Sequence, residues 1–283
     1  YILIIAFVSL ALLNPSLEEK KIQKNETLRG VDIIFIVDVS LSMYAVDVYP
    51  NRLEKFKETI LRILPELNGN RLGIITFAGA PFLYCPMTGD ISAFADYVRG
   101  LETDMIPDTG TNMKLAFEKA DKILNSNKIF KNKVVVFVSD GEDKNKSIPS
   151  ISDTEFIVWG IGTEEGGNIF YKDESNNVSG YVTMNRKLSP FQGESNLVVS
   201  KLQESYLKKI AYKNNGKYFN ISKNPSLADE ILKIIDEMGK NTNKKLNNIL
   251  KKDGYQYFLV IGLILLILEV MGFEIILKRK LGE

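Results

Sequence analysis

Three polar side chains alternate where the first apolar stretch of the chain ends. Residues 31–37 are apolar apart from Asp32, and Asp38, Ser40 and Ser42 follow at every second position. Alternate residues of an extended chain point in the same direction, so these side chains are expected to face one point. One carboxylate and two hydroxyls suit a nucleophile site, a phosphate-binding turn, a metal site or a polar turn, and this stretch alone does not separate them.

The composition narrows those alternatives. The chain has 283 residues, 36 basic and 35 acidic side chains, one cysteine and no histidine. The lack of histidine excludes serine–histidine hydrolases, cysteine–histidine proteases and histidine zinc sites. The single Cys85 excludes an internal disulfide framework, and the balanced charge argues against nucleic acid as the main partner. A bound metal would have oxygen ligands, which favours Mg²⁺, Mn²⁺ or Ca²⁺.

The elements that must position these side chains form an alternating series. Strands are predicted at 31–38, 71–79, 81–88, 133–140, 154–162 and 216–222, and helices at 51–67, 90–101, 111–125 and 225–239. Continuous apolar strands separated by amphipathic helices predict a doubly wound α/β fold, with a mostly parallel sheet and helices on both faces. Such sheets bind ligands at the carboxyl ends of their strands.

Two later loops supply more oxygen ligands at that edge of the sheet. Asp140 ends the strand predicted at 133–140, and the turn at 107–117 contributes Thr109 and Thr111. Hydroxyls and carboxylates from three loops can surround one ion, and the use of short oxygen ligands is typical of Mg²⁺ sites. For any one of these residues, helix capping or turn formation is the competing explanation, because caps and turns favour the same residue types.

Three motifs resemble those of the von Willebrand factor A family. The sequence "DVSLSM" at 38–43 is similar to its D-x-S-x-S motif, "TGTN" at 109–112 to its loop threonine, and "VSDGED" at 138–143 to its second aspartate. The resemblance implies a Rossmann-like fold with a metal-ion-dependent adhesion site. In such a site Ser40, Ser42 and Thr111 supply hydroxyl ligands, and Asp38 and Asp140 bind the ion directly or through water. An acidic residue of a protein partner completes the coordination. Leu41 departs from the family pattern, since many members have glycine there.

A narrower resemblance rests on "DVYPNRLEKFK" at 47–57 and on the apolar segments that flank the domain. These are similar to the Bat (aerotolerance-type) membrane proteins of bacteria. That resemblance implies anchoring in the bacterial inner membrane with the domain on the extracytoplasmic side. It also implies tetratricopeptide-repeat proteins, other membrane proteins with this domain and a MoxR-type AAA+ ATPase as partners.

The domain boundaries follow from composition. Residues 1–13 are predicted to be an incomplete membrane segment, 14–30 a polar connector, and 31–239 the globular domain with an insertion at about 163–200. A basic linker at 240–254, a transmembrane helix at 255–277 and a basic tail at 278–283 complete the chain. The basic residues beside the membrane segments can also contact anionic lipid.

Two classes of function remain as hypotheses. The first is metal-dependent protein binding without catalysis, and the alternative is a hydrolase or phosphotransferase that uses Asp38 and Asp140. An aspartic protease is disfavoured because no apolar strand precedes the "DTGT" at 108–111. A phosphoaspartate enzyme is disfavoured because Ser40 stands where a second acid is expected, and the chain has no G-x-x-x-x-G-K-[ST] phosphate-binding loop.

Overall fold

The computed structural model describes residue 9 and residues 16–19, 30–103, 110–126, 132–143, 146–173, 178–185, 187–238, 251–253 and 258–268. The chain divides into two compact units. One comprises Glu26–Gly239, and the other comprises Tyr1–Asn25 together with Lys240–Glu283.

The strands are short outside the central sheet. In chain order they are β1 (Ser16–Glu19), β2 (Val31–Asp38), β3 (Arg71–Phe77), β4 (Pro81–Thr88), β5 (Asn132–Ser139), β6 (Glu155–Gly160), β7 (Gly167–Asn168), β8 (Phe170–Asp173), β9 (Val178–Val182), β10 (Leu188–Ser189), β11 (Val199–Ser200), β12 (Lys217–Asn220) and β13 (Lys251–Asp253). Six of them form the central sheet in the order β12-β6-β5-β2-β3-β4. All neighbours in this sheet are parallel except the edge strand β4, which runs antiparallel to β3.

Helices cover both faces of that sheet. They are α1 (Arg52–Ile63), α2 (Ile91–Arg99), α3 (Met113–Ser126), α4 (Glu204–Lys213) and α5 (230–238). Alternate residues of β2 point to opposite faces, so Phe35 joins the core beneath α1 and α2 whereas Ile36 joins the core beneath α3 and α4. The two apolar cores confirm the predicted doubly wound α/β architecture.

Two of the predicted helices have a 3-10 turn at one end, and proline explains the first of them. The helix predicted at 51–67 is α-helical only to Ile63 and continues as a 3-10 turn over Leu64–Leu67, because Pro65 cannot donate a backbone hydrogen bond. The helix predicted at 225–239 likewise begins with a 3-10 turn, Pro225–Asp229, before α5.

The segment predicted as an insertion, 163–200, carries its own small sheets. Its first and last strands, β7 and β11, pair antiparallel, so the two ends of the insertion lie side by side. Between them β8, β9 and β10 form a three-stranded antiparallel sheet. Strands β9 and β10 form a hairpin, and β8 pairs with the other side of β9. A bridge from Ala45 to Ile169 links the insertion to the turn that follows β2.

The second unit contains few described residues. Strands β1 and β13 pair antiparallel. The helix α6 (258–268) is the described part of the predicted transmembrane segment 255–277, and most of its leucine, isoleucine and valine side chains are exposed. Within the described parts of the chain, no helix is both long enough and apolar enough to cross a membrane. The rest of that prediction, and residues 1–13 apart from residue 9, lie outside the described residues.

Candidate functional site

The candidate site lies at the carboxyl ends of β2 and β5. Asp38 is the last residue of β2, and Asp140 directly follows β5. These strands are neighbours, and Val37 of one pairs with Val138 of the other. The chain leaves β2 to form β3 on one side and later returns to form β5 on the opposite side. This change of direction is the place where doubly wound sheets bind ligands.

Asp38 is completely buried and accepts hydrogen bonds at both carboxylate oxygens. Its Oδ1 lies 2.9 Å from the Ser40 amide nitrogen and 2.6 Å from the Ser40 hydroxyl, and its Oδ2 lies 2.7 Å from the Ser139 hydroxyl. The Ser40 and Ser42 hydroxyls are 3.0 Å apart. The structure therefore brings Asp38, Ser40 and Ser42 together.

The backbone conformation differs from the one expected for this motif. The prediction assumed an extended chain from Asp38 to Ser42, whereas Leu41–Tyr44 forms a 3-10 helix. Ser40 is still extended, with φ −66° and ψ 160°. Ser42 meets Ser40 because the chain turns after Ser40, and the alternation of an extended strand does not explain their contact.

Thr111 faces the same cavity as Ser40 and Ser42. This cavity has a volume of about 730 Å³, and Leu41, Glu142 and Tyr206 contribute to its walls. The loop before α3 is held by a 2.7 Å hydrogen bond from the Asn112 amide to the Ala78 carbonyl. Gly110, which lies in this loop, has a φ of +123°, a conformation that favours glycine. Thr109 lies outside the described residues.

A buried hydroxyl that no motif contains also lines the cavity. Thr103 is 4% exposed, and its Oγ1 has no hydrogen-bond partner among the residues that the structure describes. The sequence analysis did not select it, because no motif includes it. A buried hydroxyl without a partner is unusual, and at this position it can hydrogen-bond a group that enters the cavity.

The negative charge of Asp140 affects the ionisation of Asp38. Burial, together with the negative charge of Asp140, raises the pKa of Asp38 to about 7, although hydrogen bonds from Ser40 and Ser139 oppose this rise. A divalent cation near both carboxylates would offset their repulsion. The available donors are carboxylate and hydroxyl oxygens, which suit Mg²⁺, Mn²⁺ or Ca²⁺. The residues present therefore fit such an ion.

The ligand set is short of acidic residues. No group of three or more Asp, Glu or Cys residues with metal-binding geometry occurs in the described part of the chain. A cation at this site would depend on the hydroxyls of Ser40, Ser42 and Thr111 for the rest of its protein ligands.

Asp140 is held by a residue that the sequence analysis did not select. Its Oδ2 accepts a 2.7 Å hydrogen bond from Nη1 of Arg52, and both side chains are fully buried. The Ser200 hydroxyl lies 3.4 Å from the same oxygen. The other oxygen, Oδ1, accepts a 3.0 Å hydrogen bond from the Glu142 amide. Hydrogen bonds thus hold both carboxylate oxygens of Asp140.

Arg52 uses all three of its guanidinium nitrogens. Nε and Nη2 form a bidentate pair with Asp47, at 2.9 and 2.8 Å. Nη2 also donates to the Ser200 carbonyl at 3.0 Å, and Nη1 donates to the Ser200 hydroxyl at 2.6 Å and to the Ser42 carbonyl at 3.3 Å. Gly162 makes room for this group, because a Cβ at that position would lie 2.8 Å from Nε.

A physical signal for Arg52 was present in the sequence. Arg52 is the first residue of α1, where the positive end of the helix dipole disfavours a cation. An arginine at that position therefore needs a compensating anion. Asp47 and Arg52 both occur in the "DVYPNR" stretch, so the pair was open to detection.

Comparison with known proteins agrees with this geometry. Residues 33–142 match the model of the von Willebrand factor type A domain. A relative, an uncharacterized protein of Borreliella burgdorferi, is 26% identical over 290 residues, covering 96% of this chain and 76% of the relative.

Two solved structures are similar over three quarters of the chain. The conserved hypothetical protein BatB of Bacteroides thetaiotaomicron is 27% identical with a TM-score of 0.61, covering 75% of this chain and 100% of that one. An aerotolerance-related membrane protein of Bacteroides fragilis is 25% identical with a TM-score of 0.57, over the same shares of the two chains.

Proposed function

Since the chain carries a von Willebrand factor type A domain and resembles the Bat proteins, we propose that it binds protein partners through a divalent cation. The cation would be held by Asp38, Ser40, Ser42, Thr111 and Asp140. The observation that carries this proposal is the pair of buried carboxylates at the ends of β2 and β5, beside the hydroxyls of Ser40 and Ser42.

The cavity suits an acidic side chain of the partner as the group that completes the coordination of the cation. A bound cation would supply positive charge at the base of the cavity and attract a carboxylate. The serine and threonine ligands are neutral, so they leave more of that charge uncompensated than additional acids would. The cavity of about 730 Å³ can admit a side chain from another protein, and Thr103 offers a hydroxyl to it.

We propose that the protein acts without catalysis of its own. The polar groups at the site are engaged with one another: Asp38 with Ser40 and Ser139, and Asp140 with Arg52. This arrangement suits a fixed binding site, in which little has to move when the cation enters.

The cellular setting proposed from the resemblance is the bacterial inner membrane. Residues 1–13 and 255–277 would anchor the chain, with the domain on the extracytoplasmic side. Tetratricopeptide-repeat proteins, related membrane proteins with the same domain and a MoxR-type AAA+ ATPase are the partner classes that this setting suggests.

Metal binding can be tested by titrating the chelator-treated chain with Mg²⁺ and Mn²⁺ in a calorimeter. We expect one site in the wild type, which Asp38→Asn and Thr111→Ala abolish or weaken at least tenfold. Asp32→Asn is the matched control: Asp32 is also buried, but it lies at the opposite end of β2 and pairs with Arg71. If the Asp38 variant bound Mg²⁺ as tightly as the wild type, the proposed site would be wrong.

Partner capture tests the function itself. The immobilised chain should retain partner proteins in Mg²⁺ and release them in a chelator. Asp38→Asn should retain none under either condition, and Asp32→Asn should behave as the wild type. Capture that is equally strong in the chelator would rule out a metal-dependent mode of binding.

A further inference from the structure

The two ends of the inserted segment are fastened to the group that holds Asp140. At the first end, the Thr163 amide and hydroxyl donate to Oδ2 of Asp47, at 2.7 and 3.0 Å. Asp47 in turn forms the bidentate pair with Arg52. At the second end, the carbonyl and hydroxyl of Ser200 contact Arg52 directly. One guanidinium therefore connects both ends of the insertion to Asp140.

The insertion also forms part of the cavity wall. Ile169, beside β7, and Val198, just before β11, line the cavity together with Ser40 and Thr111. The bridge from Ala45 to Ile169 keeps this wall against the turn that contains Ser42. A shift of the insertion would change the space that a partner's side chain enters.

The contacts of Arg52 are buried, so solvent screens them little. The side chains of Arg52 and Asp140 have no exposed surface, and that of Asp47 is 2% exposed. Interactions between charges in such surroundings are stronger than those at the surface. A cation beside Asp140 therefore alters the position that Arg52 prefers, and a substitution at Asp47 alters how fully Arg52 neutralises Asp140.

We propose that Arg52 is the positioning residue of the site, and that through it the inserted segment and the bound cation are energetically coupled. This inference rests on the proposed function. Arg52 contacts neither the cation nor the partner; it acts through Asp140. A cation near Asp140 competes with Arg52 for the negative charge of that carboxylate, and the resulting adjustment reaches both ends of the insertion.

Coupling of this kind is reciprocal. Mg²⁺ should change the stability of the insertion, and a break in the connection between Asp47 and Arg52 should change the affinity for Mg²⁺. Asp47→Asn removes a negative charge that balances Arg52, so Arg52 neutralises Asp140 more completely. The variant should consequently bind Mg²⁺ more weakly, by about tenfold, which lies within the usual range of coupling between sites.

The first test combines calorimetry and limited proteolysis of the full chain. In the wild type, saturating Mg²⁺ should slow cleavage within 163–200 by about tenfold, a value typical of coupling between sites, with the cut positions identified by mass spectrometry. Asp47→Asn should lose this protection even at Mg²⁺ concentrations that saturate its weaker site. Asp32→Asn is the control, because it also removes a buried carboxylate that pairs with an arginine, in this case Arg71, but away from the site. It should keep both the protection and the Mg²⁺ affinity.

A second variant covers the possibility that Asp47→Asn does not fold. Thr163→Val removes one hydroxyl donor to Asp47 without any change in charge, and it should reduce the protection by Mg²⁺ while leaving the melting temperature within a few degrees. Equal protection in the wild type and in these variants would overturn the inference. So would a wild type that binds Mg²⁺ and gains no protection. A wild type that fails to bind Mg²⁺ would instead overturn the proposed function.

Discussion

Nη1 of Arg52 lies 2.7 Å from Oδ2 of Asp140, and neither side chain is exposed. The strand-end carboxylate is therefore held in place by a cation from the first turn of α1. The second carboxylate, Asp38, accepts hydrogen bonds from neutral donors only, among the residues that the structure describes. Burial and the charge of Asp140 raise its pKa. The two acids are equally buried but differ in how their charge is balanced.

Loss of Arg52 should be among the most destabilising single substitutions in the domain. Arg52→Met leaves Asp47 and Asp140 buried without their cation, which costs about 3–5 kcal/mol. Arg62→Met, on the same helix, removes a half-exposed pair with Asp229 and an exposed hydrogen bond to the Pro225 carbonyl, and it should cost about 0–1 kcal/mol. Urea unfolding measures both values. A loss below 1 kcal/mol for Arg52→Met would show that its contacts contribute little.

The metal-free protein should lose stability as the pH rises toward neutral. The pKa of Asp38 is raised from 3.8 to about 7, so between these values the folded state keeps a proton that the unfolded chain has released. The free energy of unfolding then falls as the pH increases, by about 2 kcal/mol between pH 5.5 and 8. Urea unfolding in a chelator at several pH values tests this. A curve that stays flat or rises over the range contradicts it.

Asp38→Asn should remove that pH dependence and stabilise the metal-free protein at pH 8. The amide is neutral, so it is not repelled by Asp140; its oxygen can accept from Ser40 and its nitrogen can donate to Ser139. We expect a gain of about 1–3 kcal/mol over the metal-free wild type at pH 8, within the free energy that the raised pKa represents. Addition of Mg²⁺ should reverse the order, because only the wild type gains stability from the ion. A variant that Mg²⁺ stabilises as much as the wild type would contradict this prediction.

Leu41→Ala tests whether the residue that departs from the family pattern contacts the partner. Leu41 lines the cavity and is 41% exposed, so it contributes apolar surface at the entrance. The substitution should leave Mg²⁺ affinity within about twofold and weaken partner binding by up to about 1 kcal/mol, because most interface side chains cost no more than that when they are truncated. Calorimetry and the capture assay separate the two effects. A large change in Mg²⁺ affinity would instead place Leu41 among the residues that shape the metal site.

Gly162→Ala probes the space occupied by Arg52. Gly162 has φ +128°, and the new Cβ would approach the Arg52 guanidinium to 2.8 Å. The backbone strain alone costs about 1–3 kcal/mol, and displacement of Arg52 adds to it. Gly193→Ala is the control, since no atom of the described residues lies within 4 Å of a Cβ there. Thermal unfolding should show a clear loss only for Gly162→Ala, and equal losses would contradict the steric explanation.

Much of the architecture could be predicted because the apolar pattern of each segment agrees with the place of that segment in the fold. The apolar stretches at 31–37 and 133–138 became the central strands β2 and β5, and the residues that follow them became the site. The strand ends were informative because parallel strands bring their carboxyl ends to one edge of the sheet.

The remaining parts of the site depend on contacts between distant residues. Arg52 and Asp140 are 88 positions apart, and Ser200 is 148 positions from Arg52. Periodicity within a segment carries no information about such pairs. Thr103 was missed for a related reason, since its burial and its place in the cavity follow only from how the loops pack.

The side-by-side ends of the insertion have a consequence for how domains of this type can diversify. Because β7 and β11 pair, and because Thr163 bonds Asp47 while Ser200 bonds Arg52, everything between these points forms a loop whose entry and exit are fixed together. The entropic cost of closing such a loop rises only slowly with its length. Segments of different length or sequence can thus be exchanged between these two points with little penalty to the sheet. A graft from a relative, joined at Thr163 and Ser200, would keep the metal ligands while it replaced one wall of the cavity.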